Sequence, residues 1–272
     1  MDLPFVEALE PANRSALTRW RPGDTWLAGG TWLFSEPQPE VRRLLDLHAF
    51  AWHPLAVTEA GLEVAATCTL RTLADFEAPT SWSARALLRQ TCEALLGSFK
   101  IWNEATVGGN ICLALPAGPM TSLAASLDGL CTVWKPDGSR DQIPAMGFVT
   151  GHGHNALGPG ELLRSVHLPE RTLRARTAFR QHSRTPLGRS AAVVIGRRDP
   201  EGGEAVITIT AAVTRPVQVR FEGLPPAGEL REALADADLD YFDDPHGSAD
   251  WRAHLTHQLS HEVLAELEEM AP

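Results

Sequence analysis

The chain has 272 residues, with 24 lysines and arginines against 34 aspartates and glutamates, a formal charge of -10 at pH 7. That length exceeds one typical domain and predicts two, while 44% hydrophobic residues exclude a disordered, tail-like polymer. The acidic balance excludes a nucleic-acid surface, and the lack of a basic leader or of eighteen successive apolar residues leads us to expect a soluble, cytoplasmic protein without membrane insertion.

The first fifty residues predict a short helix around Ser15 to Arg19, a strand at Thr25 to Ala28, a glycine turn, a second helix, and a strand at Leu44 to Leu47. From Ala56 to Cys68, alternation predicts a hairpin turning at Glu59 to Gly61, and TLADFEA reads as a helix under a threonine cap. A helix is expected from Ala84 to Leu96, stopped by a left-handed Gly97. SLAASLDGL has helical spacing, and CTVWKPDGSRDQIPA reads as two strands joined at Pro136-Asp137-Gly138. The loop GHGHNALGPG and the strand LLRSVHLP follow, and the boundary between domains is placed at Pro169. Beyond it, SAAVVIGRR, AVITITAAV and PVQVRFEGL are strand candidates, with closing helices at Gly228 to Ala237 and Ser248 to Glu269, an α+β arrangement.

Two glycine pairs carry the chemistry. They lie in AGGT (Ala28 to Thr31) and ATVGGN (Ala105 to Asn110). Glycine backbone approaches a ligand closely, neighbouring amides can form a nest for oxyanions, and Thr31 and Thr106 add hydroxyls. Neither pair is the three-glycine dinucleotide fingerprint or a phosphate loop ending in Gly-Lys-Ser/Thr, and taken alone each reads first as an ordinary turn. The arginines from Arg164 to Arg189 offer a surface for an acidic partner or a phosphate, or a solvated face. Cys68, Cys92, Cys112 and Cys131 contain no CxxC pair, so they read as reduced, buried thiols rather than cluster or zinc ligands. His254, His257 and His261 line up on the last helix but lack a fourth ligand, and His152 with His154 is only a pair, so no metal is expected. No catalytic residues are expected either: there is no nucleophile elbow, and Asp243-Asp244 falls in a loop.

The flanks of the glycine pairs, LAGGTWL with RRLLDLHAF and IWNEATVGGNICLALPAG leading into LAASLDGL, resemble the flavin-binding subunit of the molybdenum hydroxylases, the xanthine dehydrogenase and carbon monoxide dehydrogenase family. DQIPAMGFVTG with ALGPGELLRSVHLP, then AFRQHSRTPLGRSAAVV, then SADWRAHLTHQLSHEVL, resemble its later segments in order, so the likeness spans nearly the whole chain. It implies an α+β fold: a two-part FAD-binding domain of the p-cresol methylhydroxylase (PCMH)/vanillyl-alcohol oxidase type over 1–168, with subdomains at about 1–52 and 53–168, then a smaller α+β domain of the CO dehydrogenase flavoprotein C-terminal type over 169–272. The implied cofactor is FAD. Leu27, Ala28, Gly29, Gly30, Thr31 and Leu33 from the first segment, and Thr106, Val107, Gly108, Gly109 and Asn110 from the second, would bind it, their amides and hydroxyls holding the pyrophosphate. Five or six oriented donors can satisfy a diphosphate without a lysine. Leu96 and Leu157 fall at family positions near the flavin, or are plain core, and Arg180 falls where some members carry a cation near the ring.

The implied role is an oxidoreductase subunit that passes electrons from the iron–sulfur clusters of a [2Fe-2S] partner, fed by a molybdopterin-binding large subunit, through FAD to an external acceptor, in a heterotrimer or its dimer. Three positions depart from the family pattern: Trp32 follows the first GGT, Trp102 stands where many members have arginine, and Pro119 replaces an acid expected to bond the adenosine ribose. Loss of that acceptor costs about 1 kcal/mol of affinity. Trp26, Trp32 and Trp102 flank the glycine pairs as candidates to stack on adenine or flavin, or as core. A flavin-free assembly subunit and a free-standing flavin oxidase remain the alternatives.

Overall fold

A computed structural model describes residues 3–200 and 203–270. The chain-end residues of the two expected domains, Met1, Asp2, Ala271 and Pro272, lie outside the described residues, as do Glu201 and Gly202. The first segment comprises β1 (Ala8–Pro11), α1 (Arg14–Thr18), β2 (Asp24–Leu27) and β3 (Arg43–Asp46), with the strands in the parallel order β1-β3-β2. Asn13 caps α1 by accepting the Ala16 N–H, and Asp24 sits opposite Arg43 in the parallel register, where two guanidinium bonds of 2.8 and 2.6 Å lock the pair. The second helix expected after the glycine turn does not form. Residues 31–36 make only turns, with Ser35 and Glu36 N–H both returning to the Trp32 carbonyl. Pro37 and Pro39 follow at once, and proline neither donates an amide nor lets its predecessor settle into helical geometry.

The middle segment runs through β4 (Leu55–Thr58), β5 (Gly61–Ala65), α2 (Leu70–Ala74), α3 (Arg85–Glu93), α4 (Phe99–Glu104), α5 (Val107–Cys112), α6 (Pro119–Ser126), β6 (Leu130–Trp134), β7 (Arg140–Pro144), α7 (Ala145–Phe148), β8 (Val149–Gly151), β9 (His154–Asn155) and β10 (Leu162–Pro169). Five of these strands form one antiparallel sheet in the order β4-β5-β10-β6-β7. Alternation gives it two faces. Leu62, Val64, Cys131, Val133 and Val166 enter the core beneath the helices, while Glu63, Thr132, Trp134 and Ser165 point the other way. Two expected helix ends are corrected. Thr69, not Thr72, caps α2, because its Oγ1 accepts the Thr72 N–H at 3.1 Å. Helix α3 ends at Glu93, and Gly97 does not adopt a positive φ.

The last segment holds α8 (Glu170–Leu173), β11 (Arg176–His182), β12 (Ala192–Arg198), β13 (Ala205–Thr210), β14 (Val217–Phe221), α9 (Ala227–Asp236) and α10 (Ala249–Glu269). The strands form an antiparallel meander, β11-β12-β13-β14. Strand β11 was not among the expected ones; its arginine-rich sequence hides the alternation. All six residues of β13 are buried, because α10 covers one face of the sheet and α6 lies against the other. Ser122 on α6 bonds Thr210 at 2.7 Å, and Gln218 Nε2 donates to the Ala125 carbonyl, so the last sheet is fastened to the middle segment by polar contacts as well as packing.

Candidate functional site

Strand β2 ends at Leu27 and delivers Ala28, Gly29, Gly30 and Thr31 to the edge of the first sheet. Among the described residues, the five consecutive N–H groups from Gly29 to Leu33 find no acceptor within the chain, while Phe34 N–H closes the turn on Gly30 O at 2.9 Å. Gly30 holds φ +68, the left-handed region, and a Cβ there would strike the Phe34 ring at 2.5 Å. Gly29 is constrained by proximity instead: its Cβ would stand 1.7 Å from the Glu104 carbonyl oxygen. That contact joins the two glycine segments, since Glu104 ends α4 immediately before Ala105 and Thr106.

The second segment is not the turn expected. Gly108 and Gly109 lie within the first turn of α5, which Thr106 caps by accepting the Gly109 N–H at 3.1 Å. Val107 N–H donates to Cys68 O, Gly108 N–H to Ala66 O, and Asn110 N–H to Thr106 O. The amides read as a second nest are therefore consumed by the fold. Gly108 is needed for close packing, its Cβ position lying 2.4 Å from Ala66 Cβ. The Asn110 side chain reaches ten residues forward, where Oδ1 accepts the Met120 N–H at 2.9 Å in the first turn of α6. Thr106 keeps its own hydroxyl proton to donate, because the cap uses only a lone pair.

The structure separates the remaining candidates. Leu27 and Leu33 flank the first glycine pair and are half-buried. Leu96 is exposed on the connection between α3 and α4, close in sequence to exposed Phe99 at the start of α4. Leu157 packs partly against the main core, its N–H held by Asn155 Oδ1 at 2.8 Å. Arg180 lies on the α10 face of β11, where it pairs with Glu262 at 3.3 Å and Glu266 at 2.5 Å; its neighbour Gln181 takes the opposite face and reaches Ala94 O. Arg184 lies beyond the end of β11 and bonds Pro245 O, so the two arginines do not share a strand face. Arg180 is thus held by two carboxylates of α10. Trp26 is fixed in the core, its Nε1 donating to Glu161 O at 3.0 Å and its ring tilted on Trp20. Pro119 occupies the first turn of α6 and is buried.

Two donors near these segments are orphaned, one on Trp102, which the sequence offered only as a stacking ring, and one on Thr121, which pattern reading missed. Trp102 Nε1 and Thr121 Oγ1 are buried with no partner among the described residues, one on α4 leading into the Gly29 contact, the other beside Gly118. Such atoms are uncommon in folded interiors and call for a partner from outside the chain. Elsewhere the chemistry is quiet. Burial pushes the thiols of Cys68, Cys92, Cys112 and Cys131 up to about 12, and all four are free. Among the described residues no group of three His, Cys, Asp or Glu side chains is placed to hold a metal. Burial, then the neighbouring His261, Arg231 and His254, lowers His257 below its ordinary value. No helix among the described residues is long and apolar enough to cross a membrane.

Comparison with known proteins bears on this geometry. A family model for the FAD binding domain in molybdopterin dehydrogenase matches residues 6–171. The chain is 30% identical to a xanthine dehydrogenase of Oryza sativa subsp. japonica over 128 residues, covering 45% of this chain and 9% of that one. It is 25% identical over 186 residues to the alpha subunit of the 6-hydroxypseudooxynicotine dehydrogenase complex of Paenarthrobacter nicotinovorans, covering 61% of this chain and 60% of that one. The chain thus spans less than two thirds of either relative. In fold it is similar to a chain of the CO dehydrogenase from Oligotropha carboxidovorans, with a TM-score of 0.81 at 20% identity, covering 97% of this chain and 98% of that chain.

Proposed function

The chain belongs to the family of FAD binding domains of molybdopterin dehydrogenases, and from that premise we propose that it is the flavin-carrying electron-transfer subunit of a molybdopterin-dependent oxidoreductase complex. The observation that carries this reading is the run of unpartnered amides from Gly29 to Leu33, pressed by Gly29 onto the Glu104 carbonyl. Ala28, Gly29, Gly30, Thr31 and Leu33 would supply backbone donors to the pyrophosphate, with the Thr31 and Thr106 hydroxyls beside them. Oriented amides suffice for this charge, as anion-binding nests show. Leu27 and Val107 would wall the cradle. Gly108 and Asn110 would act one step back, by holding α5 against β5 and α6. Trp102 Nε1 and Thr121 Oγ1 fit the cofactor as donors awaiting acceptors, and Thr121 lies two residues after Pro119 in the first turn of α6, where no carboxylate is available for a ribose hydroxyl.

When bound, FAD supplies a carrier that can exchange electrons with the iron–sulfur clusters of a partner subunit and deliver them to an external acceptor. The protein's contribution is to bind and orient it, so the want of an acid–base pair at the site is consistent with the role. On this reading residues 1–168 form the cofactor domain and 169–272 the smaller domain. On this reading the iron–sulfur clusters and the molybdopterin are held by partner subunits, since the four free cysteines form no cluster-ligand set among the described residues. Leu96, exposed near the end of α3, and Leu157 are the apolar groups offered to the ring side. Arg180 contributes nothing to the cofactor's charge while it is paired with Glu262 and Glu266.

The test is direct. The chain is purified, its visible spectrum recorded, and any flavin released by denaturation compared with an FAD standard. Near-stoichiometric FAD supports the reading. Absence of flavin after incubation with excess FAD and the partner subunits overturns it and leaves the flavin-free assembly subunit as the better account, a reading that Pro119 and the committed amides of Val107 to Asn110 favour.

A further inference from the structure

The outer face of the five-stranded sheet carries a cleft that the flavin reading does not use. It has a volume of about 980 Å³ and is lined by Arg14, Glu63, Trp134, Arg140, Arg164 and Ser165, among others. None of these belongs to the glycine segments, and the sheet itself lies between this cleft and helices α5 and α6.

Arg164 reaches the cleft because β10 bulges there. Leu163 pairs with Val133 and Ser165 with Thr132, leaving Arg164 without an opposite number on β6. A bulge of this kind re-aims one side chain. The guanidinium carbon of Arg164 stands 4.3 Å from the Trp52 ring centroid, and that of Arg14 stands 3.3 Å from the Trp134 ring centroid. Trp52 and Trp134 meet edge to face at 5.3 Å and both pack on Phe50, so the two cations rest on one aromatic platform. A guanidinium stacked by its face keeps its edge donors for an in-plane acceptor.

No such acceptor is supplied within the described residues. Arg164 Nη1 is buried with no hydrogen-bond partner. Glu63, the acid whose field reaches Arg164, is engaged by the Ser165 hydroxyl and by His167 Nδ1 at 3.5 Å. Asp141 is held by Lys135 at 2.5 Å. Burial first, with the adjacent positive charge of Arg14 also contributing, makes the charged form of Arg164 harder to keep. Two cations lie near each other against aromatic rings, one Arg164 donor is unpartnered, and the cleft's acids Glu63 and Asp141 are engaged by other groups.

We propose that this cleft binds an oxyanion, a phosphate or carboxylate group, between the guanidinium edges of Arg14 and Arg164. The site is independent of the flavin cradle and stands whether or not FAD binds. Titration calorimetry of the purified chain with inorganic phosphate, at ionic strength held constant with sodium chloride, tests it, with acetate and phenyl phosphate as parallel probes. Saturable one-to-one binding of at least one probe is expected, weakened about tenfold or more in Arg14→Gln and in Arg164→Gln as charge-assisted bonds are lost, with flavin content unchanged. Tighter binding of phenyl phosphate marks an organic phosphate, equal or tighter inorganic phosphate marks the free ion, and preference for acetate marks a carboxylate. Absence of saturable heat with all three, or affinity unchanged in Arg14→Gln, overturns the proposal. Arg14 is exposed on α1, so that variant decides the question even if Arg164→Gln fails to fold.

Discussion

At the scale of single residues, the first glycine pair and Asn110 separate into different tasks. Gly29 admits no side chain, because the Glu104 carbonyl occupies the space of its Cβ. Gly29→Ala is expected to part the two segments and lower both flavin content and melting temperature, read by the ratio of visible to ultraviolet absorbance and by thermal denaturation. Asn110→Asp keeps an acceptor for the Met120 amide, so its melting temperature should stay within a degree or two of wild type, at a cost of a few tenths of a kcal/mol. It adds a negative charge close to the proposed pyrophosphate, so FAD affinity should fall about tenfold or more in a titration of the flavin-free protein. A parallel loss of stability and affinity in this variant would show that the side chain acts only as a brace. The glycines and the asparagine stand out in the sequence, but their partners do not. Asn110 meets an amide ten residues away, and Gly29 a carbonyl seventy-five residues away, because α4 and α6 are carried there by packing.

At the scale of elements, most strands were legible from alternation and turn chemistry. The hairpin at β4 and β5, the pair β6 and β7 around Gly138, and the long capped α10 follow their local patterns. Elements failed where local signal was mixed. Pro37 and Pro39 cancel the helix expected after the first glycine pair, and β11 is concealed because its alternate residues face two different covers: Ala178 and Arg180 meet α10, while Phe179 and Gln181 meet the middle segment. Arg180 illustrates the consequence. Arg180→Met should leave the flavin spectrum and midpoint potential unchanged while costing about 1 kcal/mol or less of stability, since the pair it breaks is partly exposed. A shift in potential, measured by dye-linked redox titration, would place the cation near the ring after all.

At the scale of the whole molecule, a charge network ties the last sheet to the middle segment. Arg197 on β12 is fully buried; it bonds the Ser126 carbonyl and pairs with Asp128 at 2.8 Å and Glu204 at 3.1 Å, with Asp199 at 3.0 Å but poorly aligned for a hydrogen bond. Arg197→Met would take one cation from three carboxylates that each keep Arg171 or Arg220 as a partner, and a loss of about 1–3 kcal/mol is expected in chemical denaturation. The same network sets an acid limit. Burial pushes the Asp128 carboxyl up, but the Arg197 charge and the Arg220 hydrogen bond together outweigh it and hold the group below its ordinary 3.8. Asp24 is lowered chiefly by its hydrogen bond from Arg43, against an opposing effect of burial. A depressed folded-state value contributes stability that is present above the unfolded value and is lost as pH falls through the folded one. These two groups therefore add no slope to the melting temperature above about pH 5 and a decline below about pH 4, shallower in Asp128→Asn.

The sequence by itself determined the family, the α+β class, most of the strands and the two glycine pairs, because alternation, turn residues and short motifs are properties of neighbours along the chain. Only the tertiary structure decided that the first pair keeps its amides free while the second spends them on Cys68, Ala66 and Thr106. It also decided that Arg180 turns towards α10, and that Arg14 and Arg164 share an aromatic platform. Each of those outcomes depends on which distant group arrives to accept or donate a hydrogen bond, and that is fixed by the packing of whole elements rather than by any local pattern.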